Sequence, residues 1–210
     1  MTIKIGKLFV IEGLDGTGKA IQAKMLFERI NADYGVKSEV LIYPNNNSPY
    51  GKFLASFDNS QDGLSSHEQL LLYIGELISQ QKIIREKLKN GINVILVRYY
   101  FSVIAHHFAS IANDNSSFSF ENGIMIVNSF DLIKPDMIFF IRISAQESIV
   151  RTGKALNGNN EEFFALVSDY YNLLFAEDLN SKYRYIDGMQ SNDEIHNDIV
   201  KELKIILDEG

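Results

Sequence analysis

Gly13-Leu14-Asp15-Gly16-Thr17-Gly18-Lys19-Ala20 has the spacing G-x-x-x-x-G-K, with alanine where serine or threonine usually closes the motif. Glycines at 13, 16 and 18 let backbone N–H groups turn toward one point with no Cβ in the way, which makes a cradle for phosphate. A helix starting near Lys19 adds the positive end of its dipole. The Lys19 ammonium is a point charge suited to β- and γ-phosphates. Ala20 brings no oxygen to a metal, so Mg²⁺ is expected to be held through nucleotide phosphates and water, and only weakly by the protein. Glu12, just before the glycines, is either a polar residue ending a strand or a group reaching that metal through a water.

Arg98 follows an apolar run and falls at the carboxyl end of a strand, where open α/β sheets bind ligands. His106 and His107 are adjacent, so on a helix they point apart and do not converge as metal ligands. Asn45-Asn46-Asn47-Ser48-Pro49 reads as a loop.

The elements that must position these groups alternate. Leu8–Ile11 is a buried strand that stops at the glycines. Ile21, Met25, Leu26 and Ile30 then keep helical spacing. Strands are expected at 39–42, 93–97, 138–141 and 183–186. A long helix from Ser66 to Asn90 is expected to bury Leu70, Ile74, Leu77, Ile78, Ile84 and Leu88 on one face. A last amphipathic helix carries Ile195, Ile199, Val200, Leu203 and Leu207. Alternation of this kind predicts parallel β-α-β units, hence an α/β sheet with helices on both faces.

The 210 residues suit one domain, and an apolar share of 46% is enough for a full core. With no cysteine there is no disulfide framework and no thiolate metal site. A net charge of −7 gives nucleic-acid binding no support at the level of the whole chain. No run approaches the ~18 apolar residues of a membrane span, and no signal peptide is seen, so a soluble cytoplasmic protein is expected.

Several segments, in order, resemble the thymidylate kinases. Phe9 to Lys19 looks like their first strand and P-loop. Tyr43-Pro44-Asn45-Asn46 is similar to their Phe-Pro-x-Arg loop, and Ser48-Pro49-Tyr50-Gly51-Lys52 to the turn after it. Leu71-Leu72-Tyr73 resembles the start of their Leu-Leu-Phe-x-Ala-Asn-Arg helix. Val97-Arg98-Tyr99 with Phe101-Ser102 resembles their Asp-Arg-Tyr motif. Lys134-Pro135-Asp136 and Ile186-Asp187-Gly188 are similar to their strand entry and late turn.

The resemblance implies a P-loop NTPase three-layer sandwich, with a five-stranded parallel sheet in the order 2-3-1-4-5 and a short lid around 151–162. It implies a kinase passing a phosphoryl group from ATP to dTMP or another dNMP, and a homodimer formed through the long helices. Gly13, Asp15, Gly16, Thr17, Gly18, Lys19 and Ala20 would cradle the donor's phosphates, with Arg151 and Lys154 over it and Asp187 and Gly188 beside its adenine. Asp15, Asn46, Tyr73, Leu77, Arg98, Tyr99, Ser102 and His106 would form the acceptor site, with Lys19, Arg98 and Asp15 nearest the chemistry.

The departures fall at the same places. Val97 stands for the aspartate of Asp-Arg-Tyr, Asn46 for the arginine of Phe-Pro-x-Arg, and Leu77 for the arginine that reads the base. Phosphoryl transfer depends on positioning and on cationic stabilisation of spreading charge. Two functions therefore stay open on the sequence: an active kinase, and a degenerate nucleotide-binding homologue with a regulatory or interaction role.

Overall fold

The computed structural model describes residues 5–57, 63–114, 116–153, 161–177 and 181–208. Their elements run β1 (Leu8–Glu12), α1 (Lys19–Asp33), β2 (Ser38–Ile42), α2 (Pro49–Phe57), α3 (Ser66–Lys89), β3 (Asn93–Val97), α4 (Tyr100–Ser110), α5 (Phe120–Asn128), β4 (Met137–Arg142), α6 (Ala145–Thr152), α7 (Glu161–Glu177), β5 (Tyr183–Asp187) and α8 (Asn192–Asp208). The five strands form one sheet in the order β2-β3-β1-β4-β5. Every pairing is parallel, with Val10 opposite Leu96 on one side and Ile138 on the other. This is the sheet the sequence predicts.

The central strands are apolar at successive positions because both sheet faces are covered. Side chains alternate in direction along a strand. Leu8, Val10, Leu96, Ile138 and Phe140 thus face one core, shared with α3, α4 and α7. Phe9, Ile11, Ile95, Phe139 and Ile141 face the other, closed by α1 and α8. Together these make three layers.

The helix faces differ from expectation in two places. Ile21 is 50% exposed, and α1 buries Gln22, Ala23, Leu26 and Ile30 instead. Ile78 is 39% exposed, while Leu70, Ile74, Leu77, Ile84 and Leu88 face inward. An arc of a helix is set by what it packs on, so one residue at the margin of an apolar stripe can turn out to solvent. The Asn45–Ser48 loop ends at Pro49, which opens α2; proline at a first helical position loses no hydrogen bond. The side chain of Leu207 lies outside the described residues. The start of α3 is fixed by a capping box: Ser65 Oγ accepts the Glu68 N–H at 3.3 Å, and the Glu68 carboxylate accepts the Ser65 N–H at 2.9 Å.

Candidate active site

The loop between β1 and α1 turns at Gly13, Gly16 and Gly18, with φ of 145°, 79° and 79°. At Gly13 a Cβ would stand 2.4 Å from the Ile141 carbonyl oxygen on β4. At Gly16 it would meet Arg151 Cβ at 2.9 Å. Glycine is therefore required by φ and by space at both positions. Lys19 folds back into the loop it follows, its Nζ donating to the Gly13 carbonyl at 3.0 Å, the Leu14 carbonyl at 2.6 Å and Thr17 Oγ1 at 3.3 Å. Ala20, in the first turn of α1, is exposed.

Three segments stand around this loop. On α6, Arg151 is braced by Glu147 at 2.6 Å and donates to the Gly16 carbonyl at 3.4 Å. Ser148 Oγ donates to the Asp15 carbonyl at 2.8 Å. At the start of α8 the Asn192 carbonyl accepts a hydrogen bond from Gln22 Nε2 at 2.8 Å, and in the turn after β5 Met189 lies beside Arg151. In that same turn Gly188 N–H donates to the Arg142 carbonyl at 2.9 Å, and Asp187 accepts the Met189 N–H at 2.9 Å. Lys154 falls outside the described residues.

A cleft of about 550 Å³ adjoins the loop through Asp15. Its walls include Tyr73 of α3, Arg98, Ser102 and His106, and Phe163 of α7. The Arg98 guanidinium pairs with the Asp15 carboxylate. Its Nη1 also donates to Ser102 Oγ at 3.3 Å and lies 3.5 Å from His106 Nε2. Burial opposes the charge on Arg98, but its neighbours Tyr171, Asp15 and Glu12 outweigh that effect and hold it protonated. Arg98 takes φ 67°, the only positive φ outside glycine among the described residues. A left-handed non-glycine residue is strained, and such residues concentrate at functional sites.

The structure thus brings Asp15, Tyr73, Arg98, Ser102 and His106 into one cleft, and leaves three predicted acceptor-site residues outside it. Asn46 and Leu77 line a separate pocket of about 350 Å³ between β2, β3 and α3. Leu77 is a core residue, 1% exposed. It lies a full turn beyond Tyr73 on α3, and its apolar side chain packs inward. Tyr99 is fully buried and points away from the cleft, its single hydroxyl proton shared between Gln81 Oε1 at 3.2 Å and the Ile133 carbonyl oxygen at 3.1 Å. The Arg98 backbone conformation sends consecutive side chains to different sides of the sheet end.

For Glu12 the structure favours the first of its two readings, a polar residue ending the strand. Its carboxylate is fully buried and receives the Tyr99 N–H at 2.7 Å, Ser102 Oγ at 2.5 Å and Tyr171 OH at 2.9 Å. Its acceptor positions are filled by protein donors rather than turned toward a hydrated metal. Burial raises its pKa, against the lowering effects of Ser102, Arg98, Tyr171 and Tyr99. His107 also lines the cleft, its Nδ1 3.1 Å from the Ser66 carbonyl oxygen, and burial lowers its pKa.

The sequence reading missed Phe163 and Tyr171, because it placed no helix at 161–177. The signal was present: Phe164, Val167, Tyr171 and Leu174 recur at helical spacing and are all buried. Among the described residues no group of three or more His, Cys, Asp or Glu could hold a metal ion.

The thymidylate kinase family model matches residues 11–199. A probable thymidylate kinase of Methanocaldococcus jannaschii is 29% identical over 204 residues, covering 96% of this chain and 98% of that protein. Human thymidylate kinase is 27% identical over 203 residues, covering 95% of this chain and 90% of that protein. The solved structure of thymidylate kinase from Candida albicans superposes with a TM-score of 0.77 at 25% identity, covering 96% of this chain and 92% of that one. Sheet order, phosphate loop and sequence thus agree, and the chain belongs to the thymidylate kinase family.

Proposed function

We propose that this protein transfers the γ-phosphoryl group of ATP to dTMP or another deoxynucleoside monophosphate, giving ADP and the diphosphate. The observation that carries this is the Asp15–Arg98 pair, which joins the phosphate loop to a cleft of acceptor size. A donor in the loop and an acceptor in the cleft would meet across that pair, and catalysis of this reaction consists largely of such positioning.

In this proposal Gly13, Gly16, Thr17, Gly18 and Lys19 hold the donor's phosphates, Arg151 lies over them, and Asp187 and Gly188 flank the adenine. Lys154 would add a further charge from the lid. Arg98 and Asp15 hold the acceptor's phosphate and sugar. Tyr73 offers its ring to the base, with Ser102 and His106 completing the wall. Mg²⁺ would arrive with ATP and screen its phosphates, since Ala20 has no oxygen and Glu12 is engaged elsewhere. The chain would act as one unit with a lid around 151–162, in the cytoplasm, without nucleic acid. No helix among the described residues is long and apolar enough to cross a membrane.

A homodimer through α3 is part of the proposal. It is supported by Leu71 and Ile78, two turns apart on α3 and 61% and 39% exposed. Sedimentation at micromolar concentration would test it, and a strictly monomeric species would overturn it. The activity itself is tested by ADP release across all the dNMPs, with and without Mg²⁺. Mg²⁺-dependent release stimulated by a dNMP is expected; release indifferent to every dNMP would reject the proposal.

A further inference from the structure

A buried polar cluster joins β1, α4 and α7. Glu12 Oε2 accepts Ser102 Oγ at 2.5 Å and Tyr171 OH at 2.9 Å, and the two hydroxyl oxygens are 2.8 Å apart. Arg98 Nη1 donates to the same Ser102 Oγ. A serine hydroxyl carries one proton, and an ionised carboxylate can only accept. The short contact to Glu12 uses the Ser102 proton, so the lone pairs of Ser102 Oγ are left for Arg98. Tyr171, whose proton points at the Glu12 and Ser102 oxygens, completes this arrangement from α7. The same helix supplies Phe163 to the cleft wall two turns earlier.

We propose that Tyr171 is a positioning residue for the acceptor: through Glu12 and Ser102 its hydroxyl holds the Arg98 guanidinium in the cleft. The inference rests on the proposed acceptor site. Tyr171 does not line the cleft, and the hydrogen-bonded route from its hydroxyl to Arg98 runs through Glu12 and Ser102. Without the hydroxyl, the buried Glu12 carboxylate lacks one donor and draws on Ser102, which shifts the oxygen that Arg98 leans on. Buried networks of this kind behave as units, so loss of one member is felt at the others. The Tyr171 ring also packs on Phe140 at 4.8 Å, and phenylalanine keeps that contact.

The test uses Tyr171→Phe in the full chain, with dTMP and ATP affinities measured separately by calorimetry. A rise of about five- to tenfold in the Kd for dTMP is expected, with ATP affinity changed by less than about twofold. In a Ser102→Ala background the same substitution is expected to change the dTMP Kd by less than about twofold, because the route to Arg98 is already cut. An unchanged dTMP Kd in Tyr171→Phe, an equal fall in ATP affinity, or a full-sized effect on top of Ser102→Ala would overturn the proposal. Turnover of the parent separates the two claims: a parent that binds dTMP but transfers no phosphate rejects the kinase activity, and the binding comparison still decides the role of Tyr171.

Discussion

Arg98 and Asp15 come from adjacent strand ends, one just after β3 and the other in the phosphate loop after β1, and form an ion pair in the wall of the cleft. Each is only partly exposed, 16% and 21% by side chain, so the pair is more strongly coupled than one on the open surface. An incoming phosphate would compete with Asp15 for the guanidinium. Arg98→Ala is expected to lower kcat/KM for the acceptor by at least about 100-fold while leaving the Kd for ATP within about threefold. Steady-state kinetics with each substrate varied in turn would check this; equal losses for both substrates would place Arg98 in the fold and not in the acceptor site.

The left-handed backbone at Arg98 gives a second, independent prediction. Arg98→Gly and Arg98→Ala both remove the side chain, but only alanine keeps a Cβ at φ 67°. The glycine variant is expected to be more stable than the alanine variant by about 1 kcal/mol, the reverse of the usual order inside regular structure. Denaturant titration of the two proteins decides it.

Much of the fold could be read from the chain because β1, β3 and β4 each carry four or five successive apolar residues, and a sheet covered on both faces buries such runs. The phosphate loop was readable for a different reason: its backbone can be made only with glycine at Gly13 and Gly16. What escaped was direction. Tyr99 follows Arg98 directly, and nothing in the sequence says that one enters the cleft while the other enters the core. Leu77 lies where the family resemblance implies an acceptor-site residue, yet an apolar side chain on α3 goes to the core. The helix α4 was hidden because Tyr100 to Ala105 are all buried, which leaves no periodic contrast between faces. The partners of Glu12 could not be read from the chain because its donors, Tyr99, Ser102 and Tyr171, are distant in sequence.

Glu12 makes the stability of the fold depend on pH. Burial raises its folded pKa above the unfolded value, so the carboxyl ionises at a higher pH in the folded chain than in the unfolded one. The sign follows: relative to Glu12→Gln, the parent loses stability as pH rises from the unfolded pKa through the raised folded pKa, and the difference is constant above that. Urea melts of both proteins across mildly acidic to neutral pH would show it. A gap that moves in the opposite direction would mean that the hydrogen bonds to Glu12 outweigh its burial.

Ala20 lies exposed in the first turn of α1, with room for a larger side chain. Ala20→Thr would offer a hydroxyl oxygen to the metal, and the Mg²⁺ concentration for half-maximal activity is expected to fall by about three- to tenfold. Titration of activity with Mg²⁺ at fixed ATP checks this; an unchanged midpoint would show that the metal is held away from the start of α1.

The most direct test of the account is to follow the phosphoryl group. ATP labelled in its γ-phosphate is incubated with dTMP and Mg²⁺, using the parent protein and Lys19→Ala, which removes the cation that now bonds the Gly13 and Leu14 carbonyls. The account predicts label in the terminal phosphate of dTDP with the parent, and none above background with Lys19→Ala. Label that stays in ATP, passes only to inorganic phosphate, or reaches dTDP equally well with both proteins would contradict it.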